Sequence, residues 1–270
     1  MDIKGVEAFL LEFQKSDPAN RIPAELAKKP EYAGREIYDG AICAATGADD
    51  TIWAELSKNA EANIDMSRPE EWLPGAKSVL SAFMLFSRWI TEENAGGGWP
   101  SDAWLHGRIE GQAAMNKVTA ALADRIREEG YEAVAPSLDP RLKIFMSGGD
   151  PAFTSNWSER HVAFAAGLGT FGLSRGIITK LGTAGRLTSI VTTLPLPDAP
   201  RPYSDLLEYC AKCGDCIKNC PPNAISVENL KDHRICDVYL SGIRKEEEPY
   251  YGCGKCQCGV RCAFGVPPKG

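Results

Sequence analysis

Nine cysteines fall between Cys210 and Cys262, while the 209 residues before them hold only Cys43. Thiols packed so densely at one end of a chain either cross-link or ligate metal. Secreted disulfide scaffolds spread their cysteines through a short chain behind an export signal. Here Met1 is followed by Asp2-Ile3-Lys4-Gly5-Val6-Glu7, charged where a signal peptide needs an apolar core. Ligation is the reading. The run Cys210-x2-Cys213-x2-Cys216-x3-Cys220-Pro221 has bacterial ferredoxin spacing at every position. Three cysteines at intervals of three let one loop reach three corners of a cubane cluster. The fourth, followed by proline, serves the other cluster of a pair. Zinc ribbons pair their cysteines without this triplet and its trailing Cys-Pro.

Two 4Fe–4S clusters need eight thiolates, and the block offers nine. One cluster is expected on Cys210, Cys213, Cys216 and a distant cysteine, the other on Cys220, Cys236, Cys253 and Cys256. The distant ligand is Cys258 or Cys262. Cys258 sits two residues from Cys256 and would have to turn sharply to reach a different cluster, so Cys262 is favoured and Cys258 left free. Cys43 reads as a small buried hydrophobe. An electron carrier needs only a ferredoxin-like module over 204–270, which leaves a domain over 1–203 to bind something else.

The elements that must position these groups follow from periodicity and punctuation. Residues 4–15 form an amphipathic pattern ended by Asp17-Pro18, and a helix is expected over 51–63. The apolar run Val79–Phe86 suits a buried strand, Ser101–Glu129 a long helix stopped at Gly130, and Tyr131–Ala135 and Arg186–Leu194 two further strands. Residues 18–50 show no clear period. Residues 136–155, broken by prolines and glycines, read as a long loop. Asn156-Trp157-Ser158-Glu159 has the form of a capping box opening a helix that ends at Gly167. Then comes Gly167-Leu168-Gly169-Thr170-Phe171-Gly172. A dinucleotide fingerprint would follow a strand and open a helix; these glycines follow a helix and precede Gly176–Thr179, so no nicotinamide site is expected. They remain able to bring backbone N–H groups close to a bulky or anionic cofactor. Pro195, Pro197 and Pro200 mark the domain boundary.

Three stretches, together with the cysteine frame, resemble the epoxyqueuosine reductase and reductive dehalogenase superfamily. They are Leu73-Pro74-Gly75-Ala76-Lys77-Ser78-Val79, Glu159-Arg160 through Gly172, and Thr193-Leu194-Pro195-Leu196. The resemblance spans about residues 70–262 in the same order. It implies an α+β chain: a nitroreductase-like α/β domain, then the double-cluster module, with cobalamin held between them and reduced by electrons from the clusters. On that resemblance Gly167, Leu168, Gly169 and Gly172 become corrinoid contacts, and Ser174, Arg175, Arg186 and Tyr239 fall near positions that touch the cofactor. Three departures stand out. The family's proton-donating Asp motif is replaced by Thr154-Ser155-Asn156-Trp157-Ser158, leaving Asp139 and Asp150 as the nearest acids. The last cysteines read Cys253-x2-Cys256-x5-Cys262 with no proline after them, and eight residues follow without a further tRNA-binding module.

Composition bounds the function. With 30 Lys and Arg against 36 Asp and Glu, the net charge is −6, which argues against a protein built to grip phosphate backbones. No stretch approaches the roughly 18 apolar residues of a membrane span, so a soluble, cytoplasmic chain with no membrane partner is expected. The first reading is a reductase passing electrons from two clusters to its own corrinoid. The second is an electron-transfer protein, or activase, that reduces the corrinoid of a partner protein and needs no proton donor. A plain ferredoxin-type carrier and a tRNA epoxyqueuosine reductase stand behind them. All require a low-potential electron donor.

Overall fold

The computed structural model describes residues 1–58, 66–146 and 153–269. The helices are α1 (Ile3–Ser16), α2 (Ile52–Lys58), α3 (Pro69–Trp72), α4 (Arg88–Glu93), α5 (Asp102–Glu128), α6 (Glu159–Ala165), α7 (Asp215–Lys218) and α8 (His233–Glu247). The strands are β1 (Tyr38–Gly47), β2 (Ser78–Phe86), β3 (Ala133–Val134), β4 (Ile144–Met146), β5 (Phe153–Ser155), β6 (Gly169–Phe171), β7 (Ile177–Thr179), β8 (Gly185–Thr192), β9 (Ile225–Ser226) and β10 (Leu230–Lys231). This is the mixed helix-and-sheet class expected.

The continuous apolar run of β2 makes sense because both its faces are covered. The sheet has the order β1-β2-β8-β3 and is antiparallel throughout. Leu80, Ala82 and Met84 pack under α1 and α5, whereas Val79 and Phe83 pack on the opposite face with residues of α6. That is the two-residue alternation of a strand, with apolar side chains needed on both sides. Each such side chain contributes about 1.5–3 kcal/mol when fully buried. In β8, Thr188 Oγ1 meets Thr119 Oγ1 of α5 at 2.8 Å, while Ser189 Oγ accepts from Trp157 Nε1 at 2.8 Å on the other face. Arg186, two residues before Thr188, therefore projects toward α5.

Helix α5 begins where the sequence places it: Ser101 Oγ accepts from the Trp104 N–H at 3.2 Å. The expected helix over 51–63 is described as α2 to Lys58, and its remainder lies outside the described residues. Other expectations are corrected. The unpatterned stretch 18–50 contains the ten-residue edge strand β1, whose Asp39-Gly40 interruption hides its period. The loop 136–155 carries the small β4–β5 hairpin. Asn156 is not a helix cap. Its side chain accepts from Lys143 N at 2.7 Å and donates to Arg141 O at 2.9 Å, and Ser158 precedes α6 instead.

After β8 the chain forms α7, the β9–β10 ribbon and α8, then returns to the rest of the molecule. The Thr183 N–H donates to Cys262 O at 2.9 Å and the Ala184 N–H to Ala263 O at 3.3 Å. Cys258 is buried in the core beneath α1 and α5.

Candidate functional site

The thiols of the cysteine block gather around two foci, with Cys256 near members of both. Burial pushes Cys262 up to about 12, and Cys216, Cys210 and Cys213 push it the same way. Cys216 is raised by burial and then by Cys256, Cys210 and Cys213. A second gathering holds Cys220, Cys236, Cys253 and Cys256. Burial raises both Cys220 and Cys253, with Cys256 and Cys236 adding to it in each case. Burial opposes the charge of Lys231, but Cys256 and Cys236 outweigh it and hold the ammonium above its usual value. Cys220 Sγ also accepts from the Ala224 N–H at 3.2 Å. The two remaining cysteines are occupied elsewhere. Cys258 faces Asn94, whose Nδ2 lies 3.5 Å from its sulfur, and Cys43 Sγ donates to Ile3 O at 3.4 Å. Among the described residues no three His, Cys, Asp or Glu side chains converge as ligands of one metal ion would. A cubane instead spreads its four thiolates over a larger body, and an all-thiolate donor set is what such a cluster takes.

A cavity of about 220 Å³ lies between α5, β8 and the second gathering of cysteines. Cys220, Cys236, Cys253 and Cys256 form one wall; Trp104, Arg108, Arg186, Tyr239 and Tyr251 line the rest. Arg108 donates to Tyr251 Oη at 2.6 Å, with its guanidinium 4.4 Å from that ring. Burial, with Arg186 beside it, pulls Arg108 down to about 10, and burial lowers Arg186 as well. The roof is closed by contact: Gly254, at φ +64°, lies so close to the Trp104 indole that a Cβ there would stand 1.9 Å from its ring.

This is where the resemblance implies a corrinoid, and the space between these residues as they stand is smaller than one. Pockets for drug-sized ligands run to roughly 300–1,000 Å³, and a corrinoid is larger than those ligands. Here Trp104 sits directly on the cysteine loop, and Asn94 Nδ2 ties that loop down through Cys253 O at 3.0 Å.

Among the residues singled out from the sequence, Arg186 and Tyr239 come together at the cavity. Tyr239 donates to Gly98 O at 3.0 Å and meets the Trp99 ring edge-on. Ser174 Oγ accepts from the Gly176 N–H at 3.3 Å, and Arg175, at φ 55°, offers its carbonyl to Arg160 Nη1 at 2.8 Å. The glycine run serves the chain itself. A Cβ at Gly167 would stand 2.7 Å from Pro200 O, at Gly169 2.0 Å from Ile178 O, and at Gly172 3.2 Å from Ile178 Cδ1. Leu168 is a core residue. On the side where a Cβ would stand, the glycines are thus filled by the chain's own packing, largely that of the β6–β7 hairpin. Asp139 is bound by Arg141 at 2.8 Å, which holds its carboxyl below the usual range, and it does not line the cavity. Asp150 lies outside the described residues.

Sequence reasoning missed Arg108, Lys231 and Tyr251. The available signal was a cation one helical turn after Trp104, in a stretch whose neighbours (Ala103, Leu105, Gly107) are apolar or small. Sequence reasoning placed Glu159 in a capping box; the structure instead buries its two carboxylate oxygens, and burial pushes its carboxyl up to about 7, with Ser189 acting the other way.

No family profile matches the chain. It is 37% identical over 212 residues to an epoxyqueuosine reductase of Aliivibrio fischeri, covering 71% of this chain and 51% of that one. It is 30% identical over 138 residues to the tetrachloroethene reductive dehalogenase of Desulfitobacterium hafniense, covering 50% of this chain and 21% of that one. The chain thus spans about half the length of the first epoxyqueuosine reductases it matches. In fold it is similar to a crystal structure of an epoxyqueuosine reductase with a modified tRNA stem loop. The TM-score is 0.51 at 18% identity, over 99% of this chain and 69% of that one. The spacing of the cysteines and these relatives lead to the same place: the chain is a relative of the epoxyqueuosine reductase and reductive dehalogenase-like superfamily.

Proposed function

We propose that the chain is an iron–sulfur oxidoreductase. A ferredoxin-like module over 204–270 would hold two 4Fe–4S clusters against a nitroreductase-like domain over 1–203. Cys210, Cys213, Cys216 and Cys262 ligate the first, and Cys220, Cys236, Cys253 and Cys256 the second. One observation carries this reading: Cys262 stands near Cys210, Cys213 and Cys216, Cys236 and Cys256 stand near both Cys220 and Cys253, and Cys258 and Cys43 are engaged elsewhere. The clusters supply one-electron transfer at low potential. The chain's own residues do the rest. Partial burial limits the water around the thiolates, and Lys231 offsets their charge at the second set. Arg108, Arg186 and Tyr251 shape the place where electrons leave. This reading takes the corrinoid of a partner protein as the acceptor, since the cavity of about 220 Å³ is smaller than a corrinoid.

A second reading, reduction of epoxyqueuosine in tRNA, is favoured by the relatives' printed activity. The net charge of −6 does not exclude it, since total charge says nothing of a local patch. The expectation that nucleic acid is no partner is set aside on that ground.

The test is anaerobic purification of the full chain with iron counting. About eight iron atoms per chain are expected. Cys213→Ala should lose about half of them, and Cys258→Ala should keep them all. Loss of iron from Cys258→Ala with none from Cys262→Ala would overturn the ligand sets. Incubating the reduced protein with an epoxyqueuosine-modified tRNA stem loop, with and without hydroxocobalamin, decides the second reading. Deoxygenated nucleoside detected by mass supports it, and unchanged nucleoside in both arms rejects it.

A further inference from the structure

The charge of the interface cavity exceeds what cluster ligation calls for. Arg108, Arg186, Lys231 and Lys255 line it, and no aspartate or glutamate is found among its described lining residues; Lys255 donates to Asn94 O at 3.2 Å. Lys231 stands against the thiolates of Cys256 and Cys236 and is spent on them. The two arginines are not. Arg108 lies near Arg186, Tyr251, Tyr38 and Arg244, and Arg186 near Tyr38, Tyr251 and Arg160. Among the described residues neither has a carboxylate partner. Arg108 spends one N–H on Tyr251 Oη at 2.6 Å. A third donor is idle: the Trp104 indole lines the same cavity, is 4% exposed, and its buried Nε1–H meets no acceptor. Two half-buried like charges in one cavity, beside a buried N–H that lacks an acceptor, favour an anion that supplies the missing acceptors.

We infer that this cavity binds a small oxyanion, carboxylate or phosphate, between Arg108, Arg186 and the Trp104 N–H, beside the second cluster. The planar guanidinium fork matches both anion geometries. The volume of about 220 Å³ limits the ligand to a molecule smaller than drug size. Bound there, the anion stands next to the wall formed by Cys220, Cys236, Cys253 and Cys256. The proposed oxidoreductase function therefore enters only through the cluster; binding itself can be read without it.

Calorimetry on the anaerobically purified full chain, with acetate, inorganic phosphate and neutral acetamide as probes, tests the site. Acetate or phosphate should bind one per chain and acetamide should not. Arg186→Met and Trp104→Phe should each weaken binding with iron content unchanged, the first by roughly tenfold or more because it removes charge-assisted hydrogen bonds. Arg186→Lys should recover part of it. In the reduced protein the anion should also shift the electron paramagnetic resonance signal of one cluster and leave the other. Binding of neither anion, or equal binding by Arg186→Met, overturns the inference. So does stoichiometric uptake of hydroxocobalamin that Arg186→Met weakens. A chain that binds the anion but takes up no iron would sink the cluster reading and leave this site standing.

Discussion

Single residues in this protein differ mainly in whether burial leaves them a partner. Cys258 and Cys262 are four positions apart, yet one lies against Asn94 in the core and the other among Cys216, Cys210 and Cys213. Spacing argued for that choice, because a thiol two residues from Cys256 has too little chain to turn toward another cluster. Glu159 is the opposite case, since nothing in the sequence marks it as buried. Its carboxyl is raised by burial from 4.5 to about 7, so the folded state holds the proton more tightly than the unfolded chain. Its contribution to stability is whole below pH 4.5 and is lost as pH rises through 7. Glu159→Gln cannot ionise. It should raise the Tm at pH 8 and leave it nearly unchanged at pH 4.5, measured by thermal melts at both; an equal shift at both would remove the titration account.

At the scale of elements, the β6–β7 hairpin explains the glycine run. Gly169 faces Thr179 across the pair, and the Ile178 carbonyl occupies the space where a Cβ would go. Gly169→Val is therefore expected to destabilise the chain by more than about 4 kcal/mol or prevent soluble expression, a cost on the scale of severe steric substitutions. Gly172→Ala meets only the flexible end of Ile178 at 3.2 Å and should cost far less. Denaturant melts of the two variants make the comparison. A folded Gly169→Val with wild-type stability would show that the hairpin yields, and the glycines would again need another reason.

For the whole molecule, the decisive feature is that the cysteine loop is fastened to the amino-terminal part. Asn94, fully buried after α4, donates to Cys253 O at 3.0 Å and accepts from the Ser101 N–H at 3.0 Å at the start of α5. One side chain thus joins a ligand loop, a helix start and, through Cys258, the core. Asn94→Ala leaves those backbone groups unpaired and should cost about 1–3 kcal/mol for each one buried. Iron release to a chelator should be faster than in the wild type by the same disruption. Iron retention unchanged despite a lowered Tm would mean that the cysteine loop holds its shape without this anchor.

What the amino-acid sequence determined alone was local: the cluster-type cysteine frame, the covered strand β2 and the long helix α5. Each rests on residues close in the chain, where spacing and periodicity act directly. The edge strand β1, the role of Asn156 and the purpose of the glycines were hidden, because each is defined by a partner far along the chain. Tertiary structure alone decided that Arg108 of α5 and Arg186 of β8, 78 residues apart in sequence, share one small cavity with the second set of cysteines. It also decided that Trp104 closes that cavity on Gly254. The physical reason is that cavity volume and charge pairing depend on how elements pack, and no local pattern encodes the space left between them.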